Sequence, residues 1–371
     1  MGNRITSLLG TTQLHYAVLG GDVEAVKRLL STSSVNINSR TIEDGQTPLW
    51  MASLKGHEAI VRLLLEKRAH VNICAKNGCS PVYVASEYGH TDVVDLLVQA
   101  GAEIHLTDTE NGNVPLVVAA AKGHTETVQR LLELGANPNH QNKNGCSPVH
   151  AASQNGHTDV VDLLVQAGAD IHLATTDENG DIPLGIAAAK GHTETVQRLL
   201  ELGANPNQQD KNGRTVLFEA SLEGHVAIVR LLLEKRVDVN ICANNGCSPV
   251  HAASQNGHTD VVDLLVQAGA DIHLATTDEN GDIPLGIAAA KGHTETVQRL
   301  LELGANPNQQ DKNGRTVLFE ASLEGHEAVV RLLLEKRADV NICAKNGCSP
   351  VYAASQEWPH RCSGPTSPGR S

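Results

Sequence analysis

Between Thr158 and Gly168 the apolar residues Val160, Leu163, Leu164 and Ala167 fall at i, i+3, i+4 and i+7. That spacing predicts a helix with one buried stripe. Just ahead of it, Ser147-Pro148 followed by Val149, Ala151 and Ala152 predicts a shorter, Ala-rich helix. Ser caps such a helix, and Pro takes its first position, where a missing N–H costs nothing. Gly156 and Gly168 stop the two helices, since only glycine takes the left-handed conformation cheaply. The polar stretch from Ile171 to Asp181 carries Asn179-Gly180, a turn signal that predicts a projecting hairpin finger.

This unit recurs along the chain. Shifted by 101 residues, the segment from Cys146 to Gly246 matches Cys247 to Gly347 except at Val226/Glu327, Ile228/Val329, Val237/Ala338 and Asn244/Lys345. Inside it runs a shorter period, with blocks opening at Ser147, Ile182, Thr215 and Ser248, 33 to 35 residues apart. Earlier blocks open at Thr12, Thr47, Ser80 and Val114, later ones at Ile283, Thr316 and Ser349. Three types rotate: GHTDVVDLLVQAGA, GHTETVQRLLELGANPN and GHxAxVRLLLEKR. The third is missing between blocks four and five, a junction expected of unequal recombination. A period in this range signals a solenoid, in which no block can bury its stripe without a neighbour.

Thr47-Pro48-Leu49, Gly56-His57, Leu63-Leu64-Leu65 and Val71-Asn72 in one block resemble the ankyrin repeat, as do Ser147-Pro148-Val149-His150-Ala151-Ala152, Gly156-His157, Leu163-Leu164 and Gly168-Ala169-Asp170 in another. The resemblance implies an all-α solenoid of stacked helix-turn-helix units with β-hairpin fingers. It divides the chain into a leader at 1–11, ten full repeats at 12–348, the start of an eleventh at 349–356 and a tail at 357–371. Some blocks depart from the pattern. Ile182, Ile283 and Val114 replace the capping Thr, forfeiting about 1 kcal/mol each unless Asp181, Asp282 or Asn113 takes over. Gly185 and Gly286 replace the usual His inside a helix, costing roughly another 1 kcal/mol each, so blocks six and nine are expected to be soft. That His is kept at His15, His150 and His251, while Trp50, Tyr83, Val117, Phe218, Phe319 and Tyr352 stand at the position elsewhere.

In this family the fingers and first helices line a concave binding face. The resemblance therefore implies a non-catalytic protein-protein interaction scaffold. The residues it places on that face are Asp177, Glu178, Asp181, Asp210, Lys211, Arg214, Phe218 and Glu219, then Asp278, Glu279, Asp282, Asp311, Lys312, Arg315, Phe319 and Glu320.

The last residues break the pattern. After Gln356, where the repeat calls for NGHTDVVDLLVQAGA, the chain reads EWPHRCSGPTSPGRS. Those fifteen residues can be back-translated so that a one-base shift restores the repeat through to the stop. This predicts a frameshift after Gln356. It opens the alternative that the array is the N-terminal recognition arm of a larger signalling, kinase or channel protein.

Charge and composition narrow the partners. With 29 basic against 42 acidic side chains, a net charge of -13 and 2% aromatics, the surface suits neither phosphate neutralisation nor base stacking. The expected partner is another protein, not nucleic acid, and the expected state is a monomer. No run of 18 apolar residues spans a membrane. Eight cysteines without a signal peptide or glycosylation sequon read as reduced cytoplasmic thiols. Met1-Gly2-Asn3-Arg4-Ile5-Thr6 fits the N-myristoylation pattern at Gly2, which would add a weak peripheral membrane anchor.

Candidate chemistry is thin. Cys74/Cys79, Cys242/Cys247 and Cys343/Cys348 form Cys-x4-Cys pairs, but neighbouring fingers offer no matching ligands for zinc. Asp177-x-Asn179-x-Asp181 and Asp278-x-Asn280-x-Asp282 resemble the start of a calcium loop without its Gly and distal Glu. The recurring His of each Gly-His joint reads as a structural hydrogen-bonding group. No nucleophile is paired with a base in the sequence, so no enzyme, no metal and no cofactor is expected.

Overall fold

The computed structural model describes residues 12–32 and 35–355. Gly2 and everything after Ser355, including the frameshift reading, lie outside the described residues. Helices come in short pairs, beginning Gln13–Leu19 with Val23–Leu30, Pro48–Lys55 with Glu58–Glu66, Pro81–Glu87 with Thr91–Gln99, Pro115–Lys122 with Thr125–Glu133, and Pro148–Gln154 with Thr158–Gln166. The order continues Pro183–Ala189 with Thr193–Glu201, Val216–Leu222 with Val226–Glu234, Pro249–Gln255 with Thr259–Gln267, Pro284–Ala290 with Thr294–Glu302, Val317–Leu323 with Glu327–Glu335, and last Pro350–Ser355. None of these is long and apolar enough to cross a membrane.

The chain divides into two compact units, one running to Ala187 and including Glu201–Ala204, the other comprising Ala188–Leu200 and everything from Asn205. Within each, first helices pack on first helices of adjacent blocks and second helices on second helices. Every layer contributes an inaccessible apolar residue: Leu49, Val82, Leu116 and Val149 in the first unit, Val250, Leu285, Val262 and Val297 in the second. Burying each such side chain stabilises by about 1.5 to 3 kcal/mol, and only a neighbouring block can supply the cover.

The second-helix stripe differs in phase from the sequence expectation. Val160, Val161 and Leu164 are buried, Leu163 is half-buried and Ala167 is exposed. The helix ends at Gln166, and Ala167 is already its C-cap. Several Ser and Thr caps follow expectation: Thr47 Oγ1 accepts from Trp50 N at 3.1 Å and Ser147 Oγ from His150 N at 3.3 Å, while Thr12 and Ser248 pair their hydroxyls with Nδ1 of His15 and His251. Val114 and Ile283 have no side-chain cap bond.

At most of the Gly-His joints the imidazole bridges two blocks, whereas His57 Nε2 has no hydrogen bond among the described residues. Nε2 of His90, His124, His157 and His326 donates to the carbonyls of Leu54, Glu87, Ala121 and Ala290 at 2.9 to 3.1 Å. Each acceptor lies in the preceding block, 36 or 37 residues back. The helices of one block are thereby stitched to those of the next.

Finger ends are joined by a backbone bond, such as Ala75 N to Cys79 O at 3.0 Å or Thr276 N to Asp282 O at 2.9 Å, and in several a turn bond such as Gly78 N to Ala75 O at 3.0 Å lies inside it. Among the described residues they form no strand, and Gln310 with Thr316 makes an isolated antiparallel bridge. The hairpins are too short for a ladder. In the last described block Val351 is 66% exposed and Tyr352 46%, whereas the counterpart Val250 is inaccessible.

Candidate functional site

The fingers are joined to one another tip to tip. In the first unit Lys76, Thr109, Lys143 and Thr176 donate backbone N–H to the carbonyls of Asp44, Asn77, Asn111 and Asn144 at 2.7 to 2.9 Å. In the second, Asn244, Thr277, Lys312 and Lys345 do the same to Asn212, Asn245, Asn280 and Asn313 at 2.8 to 2.9 Å. Lysine tips reinforce the row: Nζ of Lys76, Lys143 and Lys312 donates to the carbonyls of Ile42, Thr109 and Asp278 at 2.6 Å. Gly78 permits this approach, because a Cβ there would stand 2.7 Å from Thr109 N, and its φ is +82°. The row is therefore fixed before any ligand arrives, which lowers the ordering cost of binding.

A second set of contacts ties first helices to fingers. The side chain that stands where the repeat pattern has His reaches forward to the next finger. His15 Nε2 donates to Gln46 O at 3.2 Å, Trp50 Nε1 to Cys79 O at 3.0 Å, Tyr83 OH to Asp108 Oδ2 at 2.8 Å and His251 Nε2 to Asp282 O at 3.3 Å. Burial alone would raise the Asp108 carboxyl, but N–H groups of Asn111, Gly112 and Asn113 together with Tyr83 OH hold it below the ordinary carboxylate range. Burial and the bond to Asp108 push the Tyr83 phenol up. Sequence reasoning treated this position as variable and missed its shared job. The signal was present, since Trp, Tyr and His all carry a terminal donor.

Phe218 and Phe319 correct the sequence assignment. They are 5% and 4% exposed and pack on Ala243 with Ala252, and on Ala344 with Ala353. Lacking a donor, they anchor the next finger by apolar contact and are not offered to a partner. Arg214 lies over the Phe218 ring at 5.3 Å, with Nη1 3.4 Å from Glu219 Oε1.

The other predicted residues divide into turn-formers and surface groups. Asp210 accepts from Asn212 N and Arg214 N, and Asp311 from Asn313 N, Arg315 N and Arg315 Nε, at 2.7 to 2.9 Å. Asp177 accepts from Thr175 Oγ1, Asn179 N and Gly180 N, and Asp278 from Thr276 Oγ1, Asn280 N and Gly281 N. These carboxylates shape their own fingers. Glu178, Lys211, Glu279 and Lys312 are exposed, and Asp181 and Asp282 half-buried.

In the second unit Asp278, Asp282, Arg315 and Glu320 come together around one cleft. Arg315 Nη1 stands 3.0 Å from Glu320 Oε1, off hydrogen-bond angle, so that oxygen has an ionic neighbour but no hydrogen bond. Burial pushes Glu320 up to about 7, Arg315 opposing and Asp311, Asp282 and Glu324 adding to the rise.

One pairing was not foreseen. Cys146 Sγ lies 3.4 Å from His150 Nδ1. Burial pushes the thiol up to about 11 and holds the imidazole down to about 4. The pair is thus neutral thiol with neutral imidazole, the opposite of a nucleophilic thiolate with an imidazolium. Burial likewise pushes Cys79 up to about 12. Among the described residues no group of three or more His, Cys, Asp or Glu side chains converges as a metal site would require.

A family model described as ankyrin repeats (3 copies) matches residues 14–108, 100–176, 116–210, 184–276 and 273–344. A curated ankyrin repeat-containing protein of Saccharomyces cerevisiae is 49% identical over 57 residues, 15% of this chain. The chain covers 11% of that yeast protein's length. Among solved structures, the crystal structure of the human ASB11 ankyrin repeat domain aligns with a TM-score of 0.56 and 28% identity, over 62% of this chain and 99% of that one.

Proposed function

The chain belongs to the ankyrin-repeat family, and on that premise we propose that it is a non-catalytic scaffold that binds another protein through its fingers and first helices. The supporting observation is that within each unit the finger tips are bonded backbone to backbone, the first unit carrying exposed Glu178 and the second exposed Lys211, Glu279 and Lys312. Asp181 in the first unit, and Asp282 and Glu320 in the second, are half-buried. Phe218 and Phe319, both in the second unit, are buried beneath its fingers.

In this reading the protein works as a monomer in a reducing, cytoplasmic setting, and acylation of Gly2 adds a peripheral membrane contact. Intact mass of protein made in a eukaryotic cell checks the last point: absence of a myristoyl increment removes it.

The binding reading is tested by charge reversal on two faces. Glu178→Lys with Glu279→Lys alters the fingers, while Glu126→Lys with Glu295→Lys alters exposed starts of second helices. A partner captured by the wild type and by the helix variant, but lost from the finger variant, is the expected result. Capture that ignores the finger charges, or is lost only with the helix variant, overturns the assignment of the face.

A further inference from the structure

In blocks one, two, three and eight a side chain from the first helix fills the space between that helix and the next finger and donates into the finger. Block nine has Gly286 at this position. A Cβ added there would meet only Ile283 Cγ1, at 3.5 Å, a neighbour within its own block. The space that His15, Trp50, Tyr83 and His251 occupy elsewhere is left open.

The opening is a cleft of about 370 Å³, floored by Gly286, Ile287 and Ala290 and rimmed by Asp278, Asp282 and Glu320. Its own cations are Lys291 at the rim and Arg315. Arg315 is already committed, with Nε 2.9 Å from Asp311 Oδ2, Nη2 3.1 Å from Asn280 Oδ1 and Nη1 beside Glu320. Asp278 is occupied by its own turn, whereas Asp282 has no cation within ion-pair distance among the described residues. Burial, then Asp278 and Asp311, raises the Asp282 carboxyl, with Arg315 and a hydrogen bond from Asn280 opposing.

We propose that this cleft receives an arginine side chain from a bound protein segment, which supplies in trans the forward-reaching donor that Gly286 lacks. The apolar floor suits the aliphatic stem, and Asp282 with Glu320 faces the planar, multiply donating head. The acceptor corresponding to Gln46 O and Cys79 O in earlier blocks is the Arg315 carbonyl, which receives Asp311 N at 2.9 Å and has a second lone pair to offer. Lysine would use the charge but not the fork. The proposal rests on the protein-binding reading and adds the chemistry of the residue recognised.

The experiment pans a displayed library of random decapeptides on the full chain and synthesises enriched sequences as fluorescent peptides. Affinities are compared for wild type, for Gly286→His and for Asp282→Asn, each paired with the substitution at the position that repeats it in sequence, Gly185→His or Asp181→Asn. Gly286→His fills the cleft and keeps the net charge near neutral pH, so general attraction to an acidic protein is unaffected. Enriched peptides sharing an arginine, and losing at least tenfold in affinity for both variants and on Arg→Gln replacement in the peptide, are expected. Thermal unfolding verifies that the variants are folded. Enriched peptides that bind the Gly286→His variant as tightly as wild type overturn the cleft while leaving peptide binding elsewhere on the array intact. Failure of any arginine-containing peptide to enrich also overturns the cleft, and the charge-reversal capture then decides the wider reading separately.

Discussion

The ring of His157 occupies the space that a side chain at Gly123 would need: a Cβ there would stand 2.5 Å from Nδ1, while Nε2 donates to Ala121 O at 3.1 Å. Gly123 also has φ of +74°. Gly135, which closes the second helix of the same block, has φ of +87° and nothing within 4 Å of its added Cβ. Gly135→Ala therefore meets backbone strain alone, about 1 to 2 kcal/mol. Gly123→Ala meets strain plus displacement of an inter-block ring, about 3 to 5 kcal/mol. Chemical denaturation of both variants checks the contrast, and equal losses would show that the His ring yields freely.

Arg68, Arg236 and Arg337 take the left-handed conformation, with φ of 63°, 56° and 62°, where other blocks place glycine. Their side chains are exposed, so little packing is at stake. Replacing any one by Gly relieves left-handed strain of about 1 to 2 kcal/mol against an entropic cost of roughly 0.5 to 1 kcal/mol. A rise in the urea midpoint without a change in slope is expected for each.

Val114 sits at a helix start with no side-chain cap, and Val117 N turns instead to the Val114 carbonyl at 3.0 Å. Val114→Thr supplies the missing oxygen in nearly the same volume. It should stabilise by about 1 kcal/mol, read from thermal unfolding. No gain would mean that burial of the methyl outweighs the cap.

Tyr83→Phe deletes the donor to Asp108 while preserving the ring. Because the acceptor is ionised and buried, the loss should be about 1.5 to 3 kcal/mol. Asp108 keeps its three backbone donors, so the finger should hold its conformation. Hydrogen exchange that shows the finger fully opened would contradict this.

Two buried histidines and one half-buried glutamate pull the pH dependence in opposite directions. His150 and His251 are held at about 4, well below the model-peptide value of 6.5. The unfolded chain therefore binds protons that the folded chain refuses, and stability falls as pH drops from 6.5 toward 4, by roughly 3 kcal/mol per histidine at the limit. Glu320 is raised to about 7 from 4.5, so its contribution is present below 4.5 and is lost as pH rises through 7. Acidification between these limits thus helps at Glu320 and hurts at the histidines. Glu320→Gln should steepen the acid loss, and His150→Asn with His251→Asn should remove most of it. Urea unfolding at pH 7.5, 6 and 5 measures both slopes.

The sequence by itself determined the block. Its stripe, its Ser-Pro starts, its paired glycines and its polar finger are satisfied within about 35 residues, and local propensity with hydrophobic period suffices to read them. The helix pairs and a structural hydrogen-bonding role for the Gly-His histidine followed from that reading, whereas its reach into the preceding block appears only in the packed array.

Tertiary structure decided what lies between blocks. Whether Phe218 faces a partner or the next finger depends on Ala243 and Ala252, 25 and 34 positions away. Why Gly123 must lack a side chain depends on His157, and what lines the cleft left by Gly286 depends on Asp282 in one finger and Glu320 in the next first helix. The same holds for Cys146 and His150, whose spacing in sequence is unremarked but whose burial sets both protonation states. A block's sequence encodes its own helices, but the register of one block on the next emerges only when their faces pack. There, a side chain's role is set by what stands opposite it.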